Sequence, residues 1–181
     1  MSIESDAYAK HKNLKLAANE IGMVWQTLYV NLKKQGVAVI GDKLRYGSDR
    51  DKLAAMAEAE FLRLVPQADN INARRFQHKW DFDVGQLKVD VKAGMKRKMN
   101  KKYESLSWSF SFKKQSLICD FICCFCMADR HTIERILLVP KEFFEGLQTV
   151  SVSCVGYSKW HDYSIEADDL AEFFTAIEST P

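Results

Sequence analysis

The sequence predicts an α/β fold in which a mixed central β-sheet is flanked by helices, after a small helical segment at the N-terminus. Between residues 80 and 154 the chain contains several short apolar or alternating runs, which are typical of strands. Amphipathic helical patterns precede and follow these runs, over residues 50–65 and 168–177. A chain of 181 residues suits one domain with a small appendage, and we place the boundary between residues 1–47 and 48–181.

The N-terminal segment is predicted to contain two short helices joined at Gly22. The second helix runs from Met23 to Lys34, and the predicted contact between the helices is formed by Ile21, Met23, Leu28 and Leu32. Gln26, Tyr29 and Lys33 would then be exposed, in positions suited to a DNA major groove. The segment resembles the helix-turn-helix domains of phage and transposon proteins; a helical hairpin that only packs is the alternative.

A longer helix is predicted over residues 50–65, because an apolar stripe with helical spacing ends just before Pro66. The stripe consists of Leu53, Met56, Ala57, Phe61 and Leu64. Glu60 lies within this stripe and Glu58 on its flank, so both carboxylates are candidates for a site beside the sheet.

The stretch from Trp80 to Lys92 is predicted to be a β-hairpin with a two-residue turn at Gly85-Gln86. This register places Val84 opposite Leu87 and Phe82 opposite Val89. Side chains alternate along a strand, so the two valines at 89 and 91 share an apolar face with Phe82 and Val84. The other face carries charged residues, namely Asp81, Asp83, Lys88, Asp90 and Lys92.

The charged face of the hairpin predicts a cation site. Asp81 lies opposite Asp90 in this register, and directly opposite Cβ atoms are about 4.5–5.5 Å apart. Two carboxylates this close repel unless positive charge lies between them, and a divalent cation beside Lys92 would relieve the repulsion. Asp83 is a second candidate for the upstream acid, but the register places it beside Lys88 as an ion pair. A hairpin with one buried and one solvated face is the simpler alternative.

These residues resemble the core of the PD-(D/E)xK nuclease superfamily. Asp90-Val91-Lys92 matches its acid-x-lysine triplet, and Asp81 matches the single upstream acid, with Trp80 where the family name has proline. The resemblance implies a restriction-endonuclease-like core and a Mg²⁺-dependent endonuclease acting on DNA, with Mn²⁺ as a possible substitute. It also implies that Asp81, Asp90 and the Val91 carbonyl bind the metal and that Lys92 stabilises the phosphate or activates the attacking water.

The helix before the hairpin often supplies one more acid in this superfamily. Ala57-Glu58-Ala59-Glu60-Phe61 is similar to the corresponding helix of archaeal Holliday-junction resolvases, which favours Glu58, whereas the helical periodicity favours Glu60. Cleavage of both DNA strands needs two such sites, so we expect a homodimer.

Positive charge is concentrated next to this hairpin, although the formal net charge is only +2. Residues 88–114 contain nine basic and two acidic side chains, whereas residues 141–181 contain two basic and eight acidic ones. We expect a basic loop over residues 96–102 to contact DNA through Lys96, Arg97, Lys98, Lys101 and Lys102. The loop is equally compatible with a solvated segment that has no ligand.

Residues 107–112 alternate between serine and aromatic side chains and predict another strand. If its serine face is shared with Asp90 and Lys92, then Lys113 or Gln115 would reach phosphate. The apolar run 117–127 is typical of a strand buried on both faces, and residues 133–139 and 149–154 predict further strands.

The five cysteines are expected to be reduced packing residues, because their spacing does not suit a zinc site and their count is odd. An enzyme with Cys123 or Cys124 as its nucleophile is a weaker hypothesis, since burial raises a thiol's pKa. We expect no membrane segment and no signal peptide, and therefore a cytoplasmic protein. The main functional alternative to the nuclease is a non-catalytic DNA-binding protein with a degenerate nuclease fold.

Overall fold

The chain divides into two units, and the structure, a computed structural model, describes residues 2–39, 43–73, 79–100, 103–112 and 117–178. The first unit comprises residues 1–55 and 72–78, and the second comprises residues 56–71 and 79–181. The division falls within one long helix, α5 (Asp49–Leu64), which contributes residues to both units.

The first unit is built on three short helices, α1 (Ile3–His11), α2 (Leu14–Glu20) and α3 (Trp25–Lys34), followed by the single turn α4 (Lys43–Tyr46). The Asn13 side chain caps α2 by accepting hydrogen bonds from two backbone N–H groups of its first turn. Gly22, with φ +66°, forms the turn between α2 and α3. The shared core consists of Ala7, Tyr8, Ala17, Ala18, Leu28 and Leu32. The predicted pair of helices, α2 and α3, is therefore present. Helix α1, which was not predicted from the sequence, packs against this pair.

A six-stranded mixed sheet forms the centre of the second unit. In spatial order its strands are β1 (Asp69–Asn70), β2 (Phe82–Val84), β3 (Leu87–Met95), β6 (Phe121–Met127), β7 (Ile133–Pro140) and β9 (Ser164–Ile165). Only β3 and β6 run parallel; every other neighbouring pair is antiparallel. The Asp120 carboxylate accepts a hydrogen bond from the Lys88 N–H (2.8 Å), which fixes the start of the parallel pairing.

A second, three-stranded antiparallel sheet covers one face of the first sheet. Its strands in spatial order are β4 (Arg97–Asn100), β5 (Tyr103–Ser111) and β8 (Thr149–Ser153). The aromatic side of β5 packs with Ile122 and Cys124 of β6 in one buried cluster, and the Trp108 indole donates a hydrogen bond to the Met127 carbonyl (3.0 Å). Gly94 of β3 lies so close to the Phe110 ring that a Cβ atom there would be only 3.0 Å away.

Helices pack on the opposite face of the six-stranded sheet. Phe61 of α5 is fully buried, with its ring centroid 4.9 Å from that of Phe82 and 6.1 Å from that of Phe174. Phe174 belongs to the last helix, α6 (Ala167–Glu178), which also buries Leu170. The predicted fold class is confirmed, with the qualification that one face of the sheet is covered by a small second sheet.

Most of the predicted strands are observed, but two predictions about the region after Lys92 are wrong. The predicted hairpin ends at Lys92, but its second strand, β3, continues to Met95, and Gly94 within it allows close packing against Phe110. Residues 97–100 form strand β4 of the small sheet, paired with β5, and are not a free basic loop. Lys101 and Lys102 lie outside the described residues.

All five cysteines are free thiols, as predicted. Burial raises the pKa of Cys119 and Cys126 to about 12 and that of Cys123 and Cys124 further above the ordinary value. A buried thiol that stays protonated is a poor nucleophile, so the cysteine-enzyme hypothesis finds no support. Within the described ranges, no helix has the length and apolar composition needed to cross a membrane.

We predict that Phe61→Ala lowers the free energy of unfolding by about 3–5 kcal/mol, because it opens a cavity between α5 and the sheet. The neighbouring Leu62 is 38% exposed, so Leu62→Ala is a matched control and should cost less than about 1 kcal/mol. Urea denaturation followed by circular dichroism measures both. Equal losses in the two variants would show that Phe61 does not anchor the helix.

Candidate active site

The hairpin that carries the candidate site has the predicted register. Phe82 pairs with Val89, Asp83 with Lys88 and Val84 with Leu87. Gly85 has φ +58°, the left-handed conformation that a tight two-residue turn requires. Phe82, Val84, Val89 and Val91 are all buried, so the apolar face is confirmed.

Asp81 lies one residue before β2, where the paired register begins. Its N–H donates a hydrogen bond to the Val89 carbonyl (3.0 Å). Its carboxylate Oδ2 accepts a hydrogen bond from the Val91 N–H (2.8 Å). The Asp81 side chain therefore binds the backbone of β3 in the middle of the acid-x-lysine triplet. The sequence predicted that this acid approaches the triplet but did not predict this hydrogen bond.

Asp90 and Lys92 form a buried ion pair. The Lys92 Nζ atom lies 2.5 Å from Asp90 Oδ2, and the two side chains are 20% and 6% exposed, respectively. The contact lacks the angles of a good hydrogen bond, since this buried oxygen has no hydrogen-bond partner among the described residues. Asp90 Oδ2 is thus an acceptor held close to a positive charge but with unused hydrogen-bonding capacity.

The electrostatics of the pair follow from its burial. Burial raises the pKa of the Asp90 carboxyl to about 7; attraction to Lys92 opposes this rise, and the adjacent Asp81 carboxylate adds to it. Burial lowers the pKa of Lys92, but attraction to Asp90 and Asp81 outweighs it, so that the net pKa is raised. Lys92 is therefore a firmly protonated ammonium group beside the Asp90 carboxyl group at neutral pH.

The donor set fits a hard cation such as Mg²⁺. Mg²⁺ is usually bound by one or two carboxylates together with waters and substrate phosphates, rather than by a complete protein cage. Asp81 and Asp90 supply two carboxylates, and Asp90 Oδ2, which lies beside the Lys92 ammonium, makes no well-formed hydrogen bond with any described residue. Among the residues that the structure describes, no three His, Cys, Asp or Glu side chains form a group that could hold a metal. A bound cation would therefore depend on the aspartate pair and on oxygens from water or substrate.

Asp83 has a different partner from the one expected. The Trp80 indole N–H donates a hydrogen bond to Asp83 Oδ1 (2.6 Å). The Lys88 ammonium lies 4.8 Å from the centroid of the Trp80 ring. The predicted Asp83–Lys88 ion pair is thus replaced by two contacts to Trp80, because the indole provides both a donor and a π face.

The helix acids are not assembled with the aspartates. Glu60 forms a salt bridge with Arg63 (2.7 Å) and lines a cavity of about 180 Å³ together with Phe125 and Met127. By the alternation of the strands, these two residues share the sheet face of Val89 and Val91, whereas Asp90 and Lys92 project from the other face. Glu58 is half-buried on the same helix and belongs to no metal-binding group of described residues.

The predicted DNA contacts divide between the two units. In the first unit Gln26, Tyr29 and Lys33 are exposed on α3, as predicted. In the second unit Arg97 and Lys98 are exposed on β4, but the Lys96 ammonium is engaged by both oxygens of Glu134 (2.7 and 2.8 Å).

The prediction for Lys113 and Gln115 depended on the wrong face of β5. The aromatic face, with Trp108 and Phe110, packs on the side of the sheet that carries Asp90 and Lys92, and the serine face does not. Lys113 and Gln115 themselves lie outside the described residues. Aromatic side chains occupy the face of β5 that packs on the sheet, because their burial removes far more apolar area from water than the burial of serine would.

Comparisons with known proteins find a distant likeness in structure. No protein-family model matches the chain, and no curated protein sequence matches it. The bacterial homing endonuclease I-Ssp6803I has a similar solved structure, with a TM-score of 0.49 and 14% sequence identity, over 74% of this chain and 99% of that chain.

We predict that Lys92→Met lowers the free energy of unfolding by about 3 kcal/mol at mildly alkaline pH, because it leaves the ionised Asp90 buried without a partner. The double variant Asp90→Asn/Lys92→Met removes both charges and should recover part of this loss. Lys88→Met, on the same strand and the same face, is the control and should cost much less. Urea denaturation checks all three, and a double variant less stable than Lys92→Met would contradict the ion-pair interpretation.

Proposed function

We propose that the protein is a Mg²⁺-dependent DNA endonuclease of the PD-(D/E)xK type, with Asp81, Asp90 and Lys92 as its catalytic residues. The observation that carries the proposal is the convergence of these three side chains. Asp90 Oδ2 lies 2.5 Å from the Lys92 ammonium, and the Asp81 carboxylate accepts a hydrogen bond from the N–H of Val91, the residue between them. Phosphodiester hydrolysis needs this combination of carboxylates for a cation and a positive group for the phosphate.

Each side chain has a distinct role in the proposal. Asp81 and Asp90 hold the cation, with the Val91 carbonyl as a further oxygen ligand. A bound Mg²⁺ ion would supply a polarised phosphate and a water of lowered pKa. Lys92 keeps its proton, so it stabilises negative charge on the phosphate and does not act as a base.

A helix acid is the fourth member of the proposed set. Glu60 is engaged by Arg63, so of the two acids Glu58 stays the preferred candidate. Either acid would have to act through water or after a rearrangement on DNA.

DNA would be held by basic and polar side chains outside the site. These are Gln26, Tyr29 and Lys33 on α3 and Arg97 and Lys98 on β4, with Lys101 and Lys102 as further predicted contacts. Contacts of lysine and arginine with phosphates release counterions, so binding should weaken steeply with salt. Cleavage of both strands would need a homodimer.

A non-catalytic DNA-binding protein is the second candidate function. The observation that favours it is the burial of the site: the Asp90 side chain is only 6% exposed, and no third acid is assembled with the aspartate pair. A buried ion pair of this kind also serves a purely structural role in many proteins.

Incubation of the purified protein with plasmid DNA and Mg²⁺ distinguishes the two candidates. We expect nicking or linearisation in Mg²⁺ or Mn²⁺ and none in EDTA. Asp90→Asn and Lys92→Gln should each reduce the cleavage rate about a hundredfold or more, since each removes charge from the transition state.

The matched control for Lys92→Gln is Lys88→Gln, which changes the same residue type on the same strand and face and should retain the activity. Thermal melts of every variant separate loss of chemistry from loss of fold. Full activity in folded Asp90→Asn or Lys92→Gln would eliminate the proposed mechanism.

The DNA-contact assignment is tested at Lys33. We predict that Lys33→Ala weakens binding of duplex DNA similarly for different sequences and reduces the slope of log affinity against log salt by about 1. Fluorescence anisotropy over a salt series measures the slope. An unchanged slope would mean that Lys33 does not contact a phosphate.

A further inference from the structure

Helix α3 presents two aromatic rings and an ammonium group along one line. Trp25, Tyr29 and Lys33 are spaced four residues apart, so they are neighbours on the helix surface. Trp25 is 42% exposed and Tyr29 40% exposed. The Lys33 ammonium lies 5.9 Å from the centroid of the Tyr29 ring. We call these three residues the α3 aromatic face.

The aromatic face is not required for packing of the first unit. The core of that unit takes Leu28 and Leu32 from α3, and both are fully buried. Trp25 and Tyr29 are therefore exposed side by side without a role in this core, which leaves both rings available to a binding partner.

The charges around the face favour a polyanionic partner. Helix α3 contains no acidic residue, and its last turn carries Lys33 and Lys34. Glu20 of α2 is occupied by Lys10 (2.9 Å) and by His11. Over residues 2–39 the sequence has five lysines and three acids. An apolar protein partner would gain nothing from this excess of positive charge, whereas a nucleic acid would.

The aromatic rings favour unpaired bases over an intact duplex. In a duplex the faces of the bases are stacked on one another, and the major groove offers only base edges and methyl groups. Exposed aromatic planes gain most from bases whose faces are free, as in single strands. Tyr29 and Lys33 together offer a plane for such a base and a cation for its phosphate.

We infer that the α3 aromatic face stacks on unpaired nucleotides, and that the preferred DNA of this protein contains a gap, a bulge or a single-stranded stretch. The inference rests on the proposed DNA-directed function and narrows its substrate class. Trp25, which the sequence did not single out as a DNA contact, becomes the main stacking residue.

Fluorescence anisotropy with the full-length protein in EDTA tests the inference without cleavage. Three labelled DNAs of the same sequence are compared: an intact duplex, the duplex with a short central gap, and the single strand. The gapped duplex is expected to bind about tenfold more tightly than the intact one, the effect of one stacked base. Binding should also quench tryptophan emission from Trp25, which is exposed, whereas Trp108 and Trp160 are buried and Trp80 is partly buried.

Two substitutions at the same position separate stacking from simple apolar contact. Trp25→Phe keeps an aromatic ring and should retain most of the preference for gapped DNA, although it loses the quenching. Trp25→Leu keeps apolar bulk and should lose the preference. Val30→Ala, on the same helix but outside the aromatic face, is the matched control and should leave the preference unchanged.

Equal affinity for intact and gapped duplex in the wild type would overturn the inference and leave the nuclease proposal standing. Absence of binding to any of the three DNAs would remove both. If Trp25→Leu instead changed the sedimentation coefficient of the protein without changing its DNA preference, the face would be a protein interface and the inference would be wrong. Loss of plasmid cleavage in Asp90→Asn with an unchanged preference for gapped DNA would support both proposals independently.

Discussion

The contact between the Asp90 carboxyl group and the Lys92 ammonium group constrains the whole second unit. A charge buried alone costs several kcal/mol, so each of these side chains requires the other. They lie two residues apart on one strand and therefore project from the same face. That geometry depends on β3 remaining extended and on the hairpin keeping its register. Asp81 reinforces both conditions, because its carboxylate is bonded to the backbone between the two charged residues.

The layers that cover the two faces of the six-stranded sheet decide which side chains lie near this ion pair. Helices cover the sheet face of Val89 and Val91, and the small sheet covers the face of Asp90 and Lys92. The pair is thus buried beside a cluster of aromatic side chains and thiols, and this burial raises the pKa of Asp90. The same arrangement places Glu60 on the opposite face, where it interacts with Arg63. Burial strengthens the attraction between Asp90 and Lys92, because the dielectric constant around them is low. The covering layers also limit which further side chains can reach the pair.

A large part of the fold and the core of the site follow from local sequence patterns. The turn at Gly85-Gln86 and the alternation around it gave the hairpin register correctly, and with it the approach of Asp81 to Asp90 and Lys92. The apolar stripe ending before Pro66 gave α5 to within one residue at each end. The features that the sequence did not predict have two causes. The continuation of β3 through Gly94 depends on a contact with the distant residue Phe110. Strands β1 and β9 have only two residues each, which is too few for a periodic signal.

By itself, the sequence determined helices α2, α3, α5 and α6, most of the longer strands and the register of the hairpin, because these depend on side-chain alternation, turn geometry and residue spacing over short distances. Only the tertiary structure decided which layer covers each face of the sheet, and that Glu60 and the aspartate pair lie on different faces. These outcomes are set by packing between residues far apart in the chain, where the burial of large aromatic rings outweighs the local preferences of single charged residues.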